Sequence, residues 1–305
     1  MGQKIAVSGG YFDDINGWIW IYEIMDDDLR PVIQYHLEHP IPDSSQLGKG
    51  ITGLVYDGDN NLFWACFSNC IVQYNPKMQK ITDIIFDSMF NDLHDLFTYN
   101  GQLVVVNTGN ESIDTINLQT KEVSRLDFLG DDLRKLTPRV TNLSSTKPHL
   151  HHISSAKYND SGELIVGFFK QQRIINVSKW NQVGERMDSP VHDIQVAGSE
   201  VFWTTISGCL YSSSKSEALV DLRKHCNAVG WTRGLYISDD YILFGSTSIR
   251  KTNSNYFNIL TGDNLEHNPA KIIIWERENG KISKEIIMDR PFNTKIYCIT
   301  PVRNL

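Results

Sequence analysis

Three histidines and one arginine carry most of the chemistry this sequence offers. His94 and His192 each open a His-Asp pair that runs into apolar residues, His94-Asp95-Leu96 and His192-Asp193-Ile194. His152 closes the run Pro148-His149-Leu150-His151-His152, and Arg233 stands in Thr232-Arg233-Gly234-Leu235. Neutral imidazole is the commonest protein ligand for a transition metal near neutral pH. If His94, His152 and His192 meet, they would hold a divalent metal ion with open positions. Such an ion polarises a carbonyl or lowers the pKa of a bound water, which is the chemistry of lyases and hydrolases. Arg233 adds a planar fork of donors suited to a carboxylate or phosphate. The expected substrate is therefore a small polar, anionic molecule.

Residues this far apart converge only on a fold that returns repeatedly to one place. Five runs share one phrase: Thr52-Gly53-Leu54-Val55-Tyr56, His94-Asp95-Leu96-Phe97-Thr98, Ser154-Ser155-Ala156-Lys157-Tyr158, His192-Asp193-Ile194-Gln195-Val196 and Arg233-Gly234-Leu235-Tyr236-Ile237. A turn and a second apolar run follow each, as in Leu62-Phe63-Trp64-Ala65 and Leu103-Val104-Val105-Val106. Helical periodicity is nearly absent, so the runs read as strands. A repeat of about 40 residues with four short strands is the mark of a propeller blade. Tyr297-Cys298-Ile299-Thr300 reads as a first strand with nothing after it, and the N-terminal runs begun by Ile5, Trp18 and Val32 read as strands with nothing before them. Joining the two ends completes one blade and removes the open sheet edges. The expectation is an all-β, six-bladed β-propeller forming one domain over residues 1–305, with seven blades as the runner-up.

On such a ring the first position of each phrase lies at one mouth of the central channel. Thr52, His94, Ser154, His192, Arg233 and Tyr297 should gather there, and His152, two residues before Ser154, should share the space. The run leaves open which of His149, His151 and His152 reaches the channel. Thr52 and Tyr297 are candidate ligand-binding residues, as are Asn107 and Asn110 at the end of a second strand and Arg250 at the start of an insertion. Asp95 and Asp193 should face the other side of their strands as braces. Two stretches exceed the repeat, residues 126–148 and 250–269, and both should cover the mouth that carries the histidines. Long loops in compact domains are commonly functional. The competing reading is a non-catalytic ligand- or protein-binding propeller scaffold in which the histidines only brace their blades.

Composition narrows the partners. Of 305 residues, 29 are basic and 36 acidic, for a net charge of −7, which argues against nucleic acid as the main partner. Five cysteines, an odd number without a CxxC pair, read as reduced core thiols. No run of about 18 apolar residues and no export signal is found, so no membrane contact and a cytoplasmic location are expected. The motifs GxSxG, GxGxxG, HExxH and the P-loop are missing, which removes the enzyme classes they mark.

The succession Leu93-His94-Asp95-Leu96, Val106-Asn107-Thr108-Gly109-Asn110, Pro190-Val191-His192-Asp193 and Trp231-Thr232-Arg233-Gly234-Leu235 resembles an uncharacterised bacterial family of cytoplasmic β-propeller proteins of this size. Its members show a similar HD, HxN, H and TRGL order, and this sequence departs from it at Ser154, where Asn is expected after His152. The resemblance implies the fold and no particular reaction. Residues 231–235, followed by Phe244-Gly245-Ser246-Thr247, also look like the FTQGL phrase of the plant-type glutaminyl cyclases over one blade, with Arg233 in place of Gln.

Overall fold

The computed structural model describes residues 3–25, 28–42, 48–129, 150–185, 187, 189–226, 229–249, 268–303 and 305. They form six four-stranded antiparallel sheets. Five sheets follow chain order, over residues 53–85, 93–127, 153–183, 191–221 and 231–287, and are called the first to fifth blades here. The sixth is composite: the strand Thr294–Val302 pairs with Lys4–Tyr11, which continues into Gly17–Met25 and Asp28–Leu37. The fold is thus the six-bladed β-propeller that the repeat implies, with the two ends of the chain joined as expected.

Each blade is held by what its two faces bury. Six hydrophobic clusters lie one at each junction between neighbouring blades. Val105 packs in the cluster between the first and second blades, while Val104 and Val106 pack between the second and third. Both faces of the strand are therefore dry, which is why Leu103-Val104-Val105-Val106 is unbroken hydrophobe and not an alternating strand. Full burial of one such side chain is worth about 1.5–3 kcal/mol, so a lone blade with both faces wet would lose most of its support.

Hydroxyl groups add a belt of hydrogen bonds between blades. Thr52 Oγ1 donates to the Leu93 carbonyl at 2.5 Å, Thr108 Oγ1 to Ile153 at 2.7 Å, Ser154 Oγ to Val191 at 3.0 Å, Thr247 Oγ1 to Ile296 at 2.8 Å and Ser8 Oγ to Ile51 at 3.5 Å. The junction between the fourth and fifth blades is bridged instead by the Thr232 N–H on the Ile206 carbonyl. All five cysteines are unpaired, four of them buried. Among the described residues no helix is long and apolar enough to cross a membrane.

Candidate functional site

Five of the six innermost strands carry a one-residue bulge near the same end of the channel. The register slips between Leu93 and Leu96, Ile153 and Ser155, Val191 and Ile194, and Thr232 and Leu235, and opposite the Ser8–Gly9 step at Cys298–Ile296. The residues inside these slips are His94 and Asp95, Ser154, His192 and Asp193, Arg233 and Gly234, and Tyr297. A bulge leaves its extra residue out of the ladder and re-aims its side chain. The innermost strand of the first blade pairs with its neighbour without a slip, and the Thr52 hydroxyl beside it is tied to the next blade.

Two connected spaces result. A cavity of about 220 Å³ at the mouth is lined by His94, His152, Arg233 and Tyr297 together with Lys49, Asp92 and Lys295. Beneath it a space of about 200 Å³ in the channel is lined from all six innermost strands and includes His94, His192, Asp193 and Tyr297. His152 lines the mouth cavity, His192 the channel space and His94 both. The His152 ring centroid is 5.4 Å from that of His94, and His94 is 6.1 Å from His192. His94 is the middle member and faces both.

The ring nitrogens have defined roles. His94 Nδ1 lies 3.0 Å from the Asp92 carbonyl, so it donates there and leaves Nε2 as the acceptor. His192 Nδ1 lies 3.2 Å from Asp193 Oδ2, and its Nε2 is buried without a partner among the described residues. Asp193 Oδ2 also accepts the Gly234 N–H at 3.0 Å. His152 has φ +49° and Asp92 φ +51°, left-handed values that cost a side-chain-bearing residue about 1–2 kcal/mol. The Glu111 carboxylate holds the His152 turn, with Oε1 accepting the N–H groups of His151 and His152, both at 3.0 Å.

Charge at the mouth is opposite to that of the whole chain. Among the described residues three cations, Lys49, Arg233 and Lys295, line the cavity with one carboxylate, Asp92. Asp92 is 4% exposed; its Oδ1 pairs with Lys49 Nζ at 2.7 Å, and its Oδ2 has no partner among the described residues. Burial alone would raise the Asp92 pKa, but Lys49 and the nearby histidines hold it well below the usual carboxylate range. Burial pushes His94 down to about 4, against the pull of Asp92, so the ring is neutral at pH 7. His192 is lowered for the same reason. Tyr297 is the reverse case. Burial would raise its phenol, yet Lys295, Arg233 and Lys49 bring it down to about 8.

Arg233 is fixed by stacking and not by a counter-charge. Its guanidinium carbon lies 4.7 Å from the Tyr297 ring centroid and 5.1 Å from that of Trp231, and no carboxylate among the described residues reaches it. Its buried Nε has no acceptor there.

Of the remaining expected residues, Thr52 lines the channel space, with its hydroxyl committed to the Leu93 and Cys66 carbonyls. Asn107 bonds Asp114 Oδ2 at 2.8 Å and the Met89 carbonyl at 2.9 Å, and Asn110 bonds Met89 as well. Neither asparagine lines the mouth cavity or the channel space. Arg250, His149 and most of both insertions lie outside the described residues, although His152 and Ile249, which flank them, line the mouth. Lys49, Asp92 and Lys295 were not expected. Asp92 precedes His94 by two residues and Lys295 precedes Tyr297 by two, the offset that marks His152 before Ser154. Among the described residues no group of three or more His, Cys, Asp or Glu side chains is arranged to hold a metal ion.

No protein-family model and no curated protein matches this chain. Solved structures match its fold. A protein of unknown function from Bacteroides caccae has 12% identity and a TM-score of 0.67, with 100% of both chains covered. A putative 6-phosphogluconolactonase from Bacteroides uniformis has 12% identity and a TM-score of 0.53, covering 94% of this chain and 84% of its own. The β-propeller domain of Cps50 (Swd1) from Myceliophteria thermophila has 12% identity and a TM-score of 0.51, covering 93% and 86%. The chain belongs by fold with propellers, and enzyme-like proteins are among its structural neighbours; at such identities the likeness extends to the fold alone.

Proposed function

We propose that this protein is a propeller enzyme, a lyase or hydrolase, that takes a small anionic substrate into the mouth cavity. One observation carries the reading: among the described residues, three cations and a single carboxylate line a cavity of about 220 Å³ in a chain whose net charge is −7. Arg233, stacked in place and without a carboxylate partner among the described residues, is suited to take the anionic group through two parallel hydrogen bonds. The Tyr297 phenol, with a pKa near 8, and the neutral His94 ring flank the same space and are fitted to move a proton near physiological pH. Lys49 and Lys295 favour the charge that develops when such a substrate loses a proton or accepts water.

A second reading retains a divalent metal. It is supported by His192, whose Nδ1 is oriented by Asp193 and whose Nε2 has no partner among the described residues, the arrangement in which a carboxylate orients a metal-binding imidazole. His94, His152 and His192 would be its ligands, and a bound ion would supply Lewis acidity there.

The test is calorimetric titration of the wild-type protein and Arg233→Met with acetate and with inorganic phosphate, followed by NMR screening of small carboxylates and phosphate esters for turnover. Saturable anion binding that weakens at least 10-fold in the variant is expected, about the worth of a charge-assisted hydrogen bond. Absence of anion binding would remove the reading, and binding without turnover would leave a ligand-binding propeller.

A further inference from the structure

Two charged residues at the mouth each have a buried atom that lacks a partner among the described residues, and the two atoms are of opposite kind. Arg233 Nε is a donor without an acceptor. Asp92 Oδ2 is an acceptor without a donor, on a side chain that is 4% exposed and whose other oxygen is taken by Lys49 at 2.7 Å. Both residues line the same cavity of about 220 Å³. An unmet buried donor or acceptor costs about 1–3 kcal/mol, more when the group is charged. The fold maintains Asp92 in this position at further cost, because its backbone is left-handed at φ +51°. Costs of this kind gather at sites whose partner is supplied from outside.

From this pairing we infer that the substrate is a compact carboxylate bearing a hydrogen-bond donor close to its charge, a hydroxy acid or an amino acid. The inference rests on the anion-binding reading above and narrows it. The carboxylate accepts from Arg233, and the hydroxyl or ammonium donates to Asp92 Oδ2. A plain carboxylate satisfies the arginine and leaves the aspartate oxygen buried and unmet. A neutral hydroxylated molecule does the reverse. A small cavity with one cationic and one anionic anchor also disfavours long or purely apolar substrates. Ionised, Asp92 is an acceptor only, and Lys49 on its other oxygen favours that state.

The probes are four molecules of similar size titrated into the full chain: lactate, alanine, propionate and lactamide. Lactate or alanine is expected to bind at least about 10-fold more tightly than propionate, since a site built to hydrogen-bond a polar substituent rejects the analogue that lacks it. The stronger of the two tells whether hydroxyl or ammonium is preferred. Lactamide, which lacks the charge, is expected to bind at least about 10-fold more weakly than lactate. Asp92→Asn should erase the preference over propionate while its melting curve stays cooperative. Propionate binding as tightly as both lactate and alanine overturns the inference and leaves the anion reading standing. Lactamide binding as tightly as lactate overturns both, whereas no binding of any probe overturns the inference and leaves the anion reading to the titration with inorganic phosphate. The wild-type comparison decides the matter even if the Asp92 variant does not fold.

Discussion

The guanidinium carbon of Arg233 stands 4.7 Å from the ring centroid of Tyr297, joining the bulge of the fifth blade to that of the sixth. This contact puts a fixed positive charge beside a phenol that is only 5% exposed. Burial and charge oppose each other here, and charge prevails because Lys295 and Lys49 act in the same direction as Arg233.

A tyrosinate should therefore form near pH 8, well below the ordinary value of 10.0. Absorbance at the tyrosinate band, followed from pH 6 to 11, should show one early step that is lost in Tyr297→Phe and moves upward in Arg233→Met. Because the phenol pKa is lowered by folding, its stabilising contribution is fully present above pH 10 and is lost as pH falls through 8. Wild-type stability measured against Tyr297→Phe should rise between those limits. No early step, or one that survives in Tyr297→Phe, would remove Tyr297 from the proton-transfer role.

Ring closure yields a second expectation. Ile299 pairs with Val7 and is buried at the junction of the fifth and sixth blades, and Tyr297 and Lys295 belong to the same strand. Deleting residues 295–305 removes the inner strand of the sixth blade and exposes the edge of Lys4–Tyr11. Folding should be lost and not merely weakened, as judged by near-ultraviolet circular dichroism and the disappearance of a cooperative melt. A truncated chain that melts like the full one would show that the strand is dispensable.

The blades are legible in the sequence because both faces of their strands are buried between neighbours. Runs such as Leu103-Val104-Val105-Val106 and Ile242-Leu243-Phe244, separated by turn residues, are the direct imprint of that burial. The meeting of His94, His152, Arg233 and Tyr297 is also legible, since it follows from counting repeats. Bulges are not. An extra residue leaves no mark in hydrophobicity, and strict alternation would send Asp193 to the face opposite His192, whereas the slip between Val191 and Ile194 lets their side chains meet at 3.2 Å. Hydroxyl belts are equally silent: Thr52 and Ser154 begin their phrases as His94 does and line the channel space, but their hydroxyls are spent on the next blade's carbonyl. Asp92 and Lys295 could have been found by extending the two-residue offset of His152 to every blade.

The last prediction separates a metal from a structural role for the histidines. Ligands from separate blades act jointly on one ion, so replacing any one of His94, His152 or His192 by Ala should lower metal occupancy alike. Disturbing Asp193, which orients His192, should lower metal affinity by about 10-fold or more. The structural alternative predicts three unlike variants. His192 holds the Asp193 carboxylate that also takes the Gly234 N–H, so His192→Ala should cost about 1–3 kcal/mol. His152 stands at the mouth in a strained turn fixed by Glu111, and a glycine there should be tolerated or stabilising. Elemental analysis of protein purified without added metal, set beside the melting temperatures of the three alanine variants and His152→Gly, distinguishes the two. Stoichiometric metal lost equally in all three alanine variants supports the ion. No metal in the wild type, with His192→Ala destabilised and His152→Gly unharmed, assigns the histidines to the protein's own hydrogen bonds and leaves Arg233 and Tyr297 as the chemical centre of the mouth.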